Sequence, residues 1–235
     1  MLIMKVTILD LGAQPLANDF KDTSEEALAC EVYPLKQVRC HTCNHTQLSY
    51  IVPRDILFKH YLYQSGTSNT GNLHFKWIAK KVISESIRED LDHMHINSNN
   101  TGKESLSTRV VLDIASNDGS QLDEFLPFGW KTYGVDPAEN LVQIAREKGH
   151  TIYSGFWGSD DDHSQIIKNQ LKIIEIDAII AQNVLAHTDA PLAFLLATAD
   201  IMTLHTKLYI QTSQCSMFET GNSFIASYFY RANVV

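Results

Sequence analysis

The sequence predicts an α/β fold in which a parallel sheet is covered by helices on both faces. Strand-like and helix-like segments alternate from Arg109 onward, which is typical of a doubly wound sheet. The apolar run Val110–Ile114 is followed by turn-forming residues, as expected of a strand buried on both faces. A second short strand, Lys131–Val135, ends at Asp136. These observations predict a ligand-binding edge at the ends of the first two strands.

The segment before the sheet is predicted to form a small β-rich unit. Val6–Leu11 alternates and predicts a strand, Gly12–Asn18 predicts a loop, and Tyr33–Val38 predicts a second strand leading to Cys40 and Cys43. Two cysteines separated by two residues on a turn are able to hold one edge of a tetrahedral zinc site. Other candidate ligands nearby are Cys30, His41 and His45. Four ligands are needed, so the zinc ligand set is incomplete, and reduced thiols in a turn are the alternative.

Helical and polar segments connect this unit to the sheet. A short helix is predicted to begin near Pro53 and to end before Gly66. Asn72–Asp92 has apolar residues at helical spacing on one face, whereas His93–Ser107 is rich in Asn, Ser and Thr and predicts a surface linker. We therefore expect an N-terminal unit over residues 1–70, a connecting helix and linker over 71–107, and a core domain over 108–235.

The remaining elements follow in strict alternation. The predicted strands of the sheet are Val110–Ile114, Lys131–Val135, Thr151–Tyr153, Asp177–Ala181 and Lys207–Thr212. The predicted helices are Gln121–Phe125, Ala138–Lys148, His163–Lys172 and Pro191–Leu204.

Polar residues cluster where these strands end. A carboxylate such as Asp136 at the end of the second strand is able to accept both hydroxyls of a ribose. The turn after the first strand, Ser116–Gly119, lacks a full Gly-x-Gly-x-x-Gly run, so a pyrophosphate site is not predicted. S-adenosylmethionine (SAM), which has a ribose and no phosphate, suits this pattern; an ordinary strand–helix–strand unit is the alternative. Asn183 and His187 follow the fourth strand on the same edge, where His187 is either a capping residue or a functional one.

Composition excludes several classes of protein. The 235 residues suffice for one full domain and a small appendage. A net charge of −8 argues against a nucleic-acid partner, and four cysteines do not make a disulfide scaffold. The apolar start, Met1–Leu11, is interrupted by Lys5 and Asp10, so we expect neither a signal peptide nor a membrane span. The expected location is the cytoplasm, with no membrane partner.

Seven collinear motifs connect the chain to a known family. They are Leu11–Asn18 (LGAQPLAN), Tyr33–Leu35 (YPL), Cys40–Cys43 (CHTC), Tyr61–Ser68 (YLYQSGTS), Ile114–Gly119 (IASNDG), Asp136–Asn140 (DPAEN) and Asn183–His187 (NVLAH). With these motifs the chain resembles the SAM-dependent sugar C-methyltransferases, in which a small zinc-binding domain precedes a Rossmann-like methyltransferase sheet.

The resemblance implies roles for individual residues. The loop Tyr61–Ser68 would fold over SAM, although spacing alone favours packing roles for its two tyrosines. The implied SAM-binding residues are Tyr61, Ser65, Gly66, Asp113, Ala115, Ser116, Asn117, Gly119, Asp136, Pro137 and Asn183. His187 and Tyr63 would be catalytic: a carbon next to a ketone of a nucleotide-linked sugar loses a proton, and an enolate forms and is methylated. Cys40 and Cys43 would bind metal.

The chain also departs from the family pattern. The family carries a second cysteine pair ahead of Leu11, and a Tyr-His-Glu-His stretch after the fifth strand where this chain has Gly221–Tyr228 (GNSFIASY). We therefore expect a chain truncated at both ends, with a sheet incomplete at the C-terminus. A catalytically impaired or vestigial SAM-binding protein is one alternative function, and an O- or N-methyltransferase of a small molecule is another.

Overall fold

Two sheets organise the part of the chain that the structure describes. The computed structural model describes residues 5–96, 108–158, 167, 169 and 175–212. A three-stranded antiparallel sheet has the order β1-β2-β3, and a five-stranded parallel sheet has the order β6-β5-β4-β7-β8. The predicted fold class, an α/β doubly wound sheet preceded by a small β-rich unit, is confirmed.

The antiparallel sheet contains β1 (Lys5–Pro15), β2 (Val32–Cys40) and β3 (Thr46–Leu48). The loop predicted over Gly12–Asn18 is wrong for its first half, because β1 continues to Pro15 after register shifts. Gly12 adopts a φ of 72°, which lets the strand bulge and resume pairing. The sequence reading also missed β3 and the short helix α1 (Ser24–Leu28), which a Thr23–Glu26 capping box begins.

The parallel sheet is built from the predicted strands. They are β4 (Val110–Ile114), β5 (Lys131–Asp136), β6 (Thr151–Ser154), β7 (Ala178–Gln182) and β8 (Lys207–Gln211). The chain steps outward from β4 to β5 and β6, then crosses to the other side of β4 for β7 and β8. The carboxyl ends beside β4 are therefore the switch point at which doubly wound sheets bind ligands.

Helices cover both faces of this sheet. They are α2 (Arg54–Phe58), α3 (Asn69–Ile96), α4 (Ser120–Asp123), α5 (Glu139–Glu147) and α6 (Pro191–Ala199). Successive strand residues enter different cores: Val111 and Ile180 pack with α3, α4 and α5, whereas Leu112 and Ile179 pack with α6. Of the predicted helix His163–Lys172, only residues 167 and 169 are described. The helix predicted over Pro191–Leu204 ends early, at Ala199.

The apolar face predicted for the connecting helix is narrower in the structure. Ile78, Ala79 and Val82 are buried, whereas Leu73 and Trp77 are exposed. Over the described ranges, no helix combines the length and apolarity needed to cross a membrane.

Candidate functional site

A cavity of about 490 Å³ lies at the carboxyl ends of β4, β5 and β7. The predicted site residues that line it are Tyr61, Tyr63, Ser65, Asp113, Ala115, Ser116, Asn117, Asp136, Pro137, Asn183 and His187. Gly66 and Gly119, which are also predicted to bind SAM, are not among the residues that line it. Residues from three separate parts of the chain therefore converge on one site.

The turn after β4 has an unusual backbone that shapes one wall of the cavity. Ala115 and Asn117 have positive φ angles of 63° and 51°, a conformation that costs energy for a residue with a Cβ. Gly119 also has a positive φ, and a Cβ added there would lie 2.6 Å from Cδ2 of His150. Gly119 thus lets the turn pack tightly against the core. In the same turn, Ser116 Oγ is buried and has no hydrogen-bond partner among the described residues.

Asp136 is the last residue of β5 and lies at the centre of the cavity wall. Its two carboxylate oxygens accept hydrogen bonds from the backbone N–H groups of Asn117 and Ala138, each at 2.8 Å. Burial raises the pKa of Asp136 to about 6, although these two N–H groups act in the opposite direction. Each oxygen keeps a second lone-pair site, so Asp136 is able to accept further hydrogen bonds from a ligand.

Asp113 precedes the last residue of β4 and is almost completely buried. Burial raises the pKa of its carboxyl well above the usual range, and the nearby charge of Asp136 raises it further. The two carboxyls thus lie on paired strands at one edge of the sheet, with an electrostatic cost to ionising both.

The segment Tyr61–Ser68, here called the covering loop, is fastened to the sheet edge by side chains. Asn140 at the start of α5 donates a hydrogen bond to the Tyr61 carbonyl at 2.7 Å and accepts one from the Tyr61 N–H at 3.2 Å. Asn117 donates to the Tyr63 carbonyl at 3.0 Å. These contacts hold the two tyrosines at the cavity.

The second half of the covering loop is fastened in the same way. Asn117 Oδ1 accepts from the Ser65 N–H at 2.9 Å, and Asp118 Oδ2 accepts from the Gly66 N–H at 3.1 Å. A Cβ added at Gly66 would lie 2.3 Å from Ser120 Oγ. Gly66 therefore permits the close approach of the covering loop to the turn that follows β4.

His187 ends the 3₁₀ turn that follows β7, and its ring faces that of Phe58. Its ring centroid lies 6.3 Å from that of Phe58, and the Phe58 and Tyr61 centroids are 5.9 Å apart. Tyr61 and Tyr63 meet edge to face at 6.4 Å. The two residues predicted to be catalytic thus belong to one connected aromatic group at the cavity.

The sequence reading missed several residues that line the cavity. They are Arg54, Phe58, His74, Gln121, Gln182, Phe156 and Trp157. The rule that sites form at strand ends would have found Gln182 at the end of β7, and Phe156 and Trp157 after β6. Arg54 and His74 come from helices outside the sheet, for which the sequence carries no such signal.

Cys40 and Cys43 lie at the turn between β2 and β3. Backbone N–H groups of Cys43 and Thr42 lower the pKa of the Cys40 thiol, which favours the thiolate that binds metals. Within the described ranges, however, no three His, Cys, Asp or Glu side chains are placed to hold a metal ion. The residues present therefore fit one edge of a zinc site and do not form a closed site.

The position of the cavity defines the class of the protein. Buried carboxylates at the switch point of a doubly wound sheet, with no phosphate-binding glycine run, are typical of a Rossmann-like fold that binds a nucleoside. A family model described as "Methyltransferase domain" matches residues 89–228, more than half of the chain. The chain therefore belongs to the methyltransferase-domain family. A second model, described as "Putative zinc binding domain", matches residues 4–58.

Individual relatives agree with this assignment. The C-methyltransferase NovU of Streptomyces niveus is 27% identical over 150 residues, which cover 63% of this chain and 32% of NovU. The chain thus spans about a third of that relative's length. Together with the two family models, this relative confirms the predicted resemblance to C-methyltransferases.

Two solved structures are similar at lower identity. One is a SAM-dependent methyltransferase from Clostridium acetobutylicum ATCC 824, with a TM-score of 0.43, 13% identity and coverage of 59% of this chain and 50% of that chain. The other is the sugar N-methyltransferase KedS8 from Streptoalloteichus sp. ATCC 53650, with a TM-score of 0.40, 14% identity and coverage of 60% and 47%.

Proposed function

We propose that this chain binds SAM in the cavity above β4, β5 and β7 and transfers its methyl group to a small molecule. The observation that carries the proposal is Asp136, a carboxylate with spare lone pairs at the centre of a cavity of about 490 Å³. This volume lies within the range of small-molecule sites. The buried Ser116 hydroxyl, which has no hydrogen-bond partner in the described part of the chain, is a second group suited to a ligand.

We assign each part of SAM to a set of residues, and the order of the strands supports this assignment. Asp136 would hold the ribose hydroxyls. The residues after β6, including Phe156, would then face the base, since β6 neighbours β5. The turn residues Ala115 and Asn117, together with Asn183 after β7, would hold the amino-acid part. The covering loop, fastened through Asn117 and Asn140, would exclude water from this end.

His187 and Tyr63 are proposed to handle the proton and charge of the acceptor. When bound, SAM supplies an electrophilic methyl group on a sulfonium. In a carbon acceptor next to a ketone, a proton must leave while negative charge develops on the ketone oxygen. A histidine is suited to accept or donate this proton, and a tyrosine hydroxyl is suited to stabilise the oxygen. The relative NovU, a C-methyltransferase, supports a carbon acceptor.

The finer features of the acceptor and setting are part of the same proposal. We infer a keto-deoxysugar linked to a nucleotide as the acceptor, and a zinc ion held loosely through Cys40 and Cys43. A cytoplasmic location agrees with the free thiols of Cys30, Cys40 and Cys43, because a reducing compartment keeps thiols unpaired.

The proposal is tested by mass spectrometry with purified protein, SAM and a keto-deoxysugar nucleotide in deuterated water. We expect deuterium at the sugar carbon and a mass gain of one methyl group, both lost in His187→Ala. His205→Ala is the matched control, because His205 is an exposed histidine that does not line the cavity. A methyl group located on oxygen or nitrogen by fragmentation of the product would point to an O- or N-acceptor, and SAM binding without exchange or methyl gain would identify the vestigial alternative.

A further inference from the structure

The short helix α2 lies across the cavity and contacts both of its ends. Arg54 and Phe58 are one helical turn apart, and both line the cavity. The Arg54 guanidinium lies 4.6 Å from the ring centroid of Phe156, whereas the Phe58 ring faces His187 at 6.3 Å. A helix from outside the parallel sheet therefore supplies part of the site.

We propose that Arg54 and Phe156 form a stacked pair that closes the base end of the cavity and sets the affinity for the adenosine part of SAM. This inference rests on the proposed function and assigns a new residue to the same site. It makes Arg54 a binding residue that the N-terminal part of the chain contributes to the methyltransferase core.

The position of Phe156 decides which end of the ligand Arg54 meets. The neighbouring Gly155 follows β6, and its N–H donates to the backbone carbonyl of Asp136 at 3.0 Å. Phe156 is thus adjacent to the residue proposed to hold the ribose. His187 follows β7, on the other side of β4. Arg54 accordingly serves the end of the cavity away from the reacting methyl group.

The charged residues that line the cavity indicate which kind of ligand the Arg54 guanidinium would contact. Arg54 is the one Lys or Arg among the described residues that line it, and the lining carboxylates are those of Asp113, Asp136 and Asp189. Within the described ranges, no carboxylate lies within ion-pair distance of Arg54. Among the described residues, its N–H donors therefore have no ion-pair partner that would compete with a ligand. A planar guanidinium that already stacks on a ring favours a flat, neutral partner with ring-nitrogen acceptors, such as adenine.

The structure also holds Arg54 in place. The Lys59 carbonyl, just after α2, accepts a hydrogen bond from the Glu139 N–H at the start of α5 at 3.2 Å. Val52, just before α2, is buried. Both ends of α2 are thus fixed to the rest of the protein. Arg54 is therefore held at the cavity, and little conformational entropy of the helix is lost when a ligand binds.

The test measures binding of S-adenosylhomocysteine (SAH) and of 5′-methylthioadenosine, which shares the adenosine and lacks the amino-acid part. Arg54→Met keeps the apolar stem and removes the guanidinium, and it should weaken both ligands by the same factor, about 3- to 30-fold. Arg54→Lys keeps the charge without the planar group and should also weaken both. Phe156→Leu should behave like Arg54→Met. Lys59→Met is the matched control, since Lys59 is exposed, pairs with Asp55 and does not line the cavity.

Other outcomes would overturn the inference. Weaker SAH with unchanged methylthioadenosine would mean that Arg54 meets the amino-acid carboxylate. Unchanged binding of both ligands by the Arg54 variants would show that Arg54 does not contact the cofactor. This conclusion would hold even if the variants had a raised KM for the methyl acceptor. Thermal unfolding of each variant shows whether the fold is retained, and Arg54→Lys decides the matter if Arg54→Met unfolds. A wild-type chain that binds neither ligand would refute the proposed function itself, which the variant comparison cannot do.

Discussion

At the scale of single residues, Asp113 and Asp136 lie close together on paired strands, and neither is well solvated. Burial makes the ionised form of each costly, and the charge of Asp136 adds to the cost for Asp113. Strained or costly groups persist in folded proteins chiefly where function uses them. The protonation of Asp113 and Asp136 can therefore be followed through the pH dependence of stability and of ligand binding.

Replacement of Asp113 by Asn should stabilise the unliganded protein at neutral pH. The pKa of Asp113 is higher in the folded than in the unfolded state, so the folded state binds more protons and stability falls as pH rises above about 4. Asn cannot ionise, so the free energy of unfolding should exceed wild type by about 1–3 kcal/mol at pH 8 and by less at pH 4. Urea unfolding of both proteins between about pH 4 and pH 8 measures this difference in the free energy of unfolding. If Asp113→Asn were destabilised equally at every pH, Asp113 would not have a raised pKa in the folded protein.

Binding of SAH should weaken as the pH falls through about 6, the pKa of Asp136. The ionised carboxylate accepts hydrogen bonds from ribose hydroxyls better than the protonated acid does. Calorimetry between about pH 5 and pH 8 should show this trend in wild type, whereas Asp136→Asn should bind weakly with a flat profile. A wild-type affinity that stays constant across this range would remove Asp136 from the ribose site.

One rule of topology was enough to predict that Asp136, Asn183 and His187 lie together, and all three line the cavity. Asp136, Asn183 and His187 follow parallel strands, and parallel strands end at one edge. Arg54 and His74 reach the cavity from helices outside the sheet, and their positions depend on tertiary packing. The role of Gly66 in binding SAM stays a prediction, and the structure adds a hydrogen bond from its N–H to Asp118 that spacing does not reveal.

At the scale of elements, the covering loop depends on side chains from the β4 turn and from α5. Asn140 makes two hydrogen bonds with the Tyr61 backbone, which is an efficient way to fix an irregular segment. The short strands of the parallel sheet were predicted nearly to the residue, since buried apolar runs between turn residues are distinctive. The helix α1 and the strand β3 were missed because each spans only a few residues and carries little periodicity, whereas α2 begins near Pro53 and ends before Gly66 as predicted.

Loss of the Asn140 side chain should loosen the covering loop and weaken ligand binding. Asn140→Ala removes both contacts to Tyr61, and each is worth about 1 kcal/mol, so SAH affinity should fall about 5- to 30-fold. Gln143→Ala on the same helix is the control, because Gln143 is exposed, donates a hydrogen bond to the exposed Glu147 and does not line the cavity. Limited proteolysis should cut the Asn140 variant near residues 61–68, and equal resistance in all three proteins would argue against a loop held by Asn140.

At the scale of the whole molecule, an antiparallel unit with an incomplete metal site accompanies a parallel sheet with a well-formed cavity. The β1–β2–β3 pairing is held by backbone hydrogen bonds along its length.

We expect loosely held, sub-stoichiometric zinc. Cys40 and Cys43 lie at the turn, and among the described residues no group of three His, Cys, Asp or Glu side chains is placed to hold a metal ion. Two thiolates give far weaker binding than four ligands. Elemental analysis before and after dialysis against a chelator should show loss of the metal with unchanged circular dichroism. One tightly held zinc per chain after chelation would prove the prediction wrong.

The assignment of the cavity to SAM is tested most directly by isothermal titration calorimetry of the wild-type chain. The structure predicts a single site for SAM, weakened by about 1–3 kcal/mol in Asp136→Ala through the lost charge-assisted hydrogen bonds. NAD, which needs a phosphate-binding glycine run, should bind far more weakly. Absence of SAM binding at millimolar concentration to a folded chain, or a preference for NAD, would contradict this account.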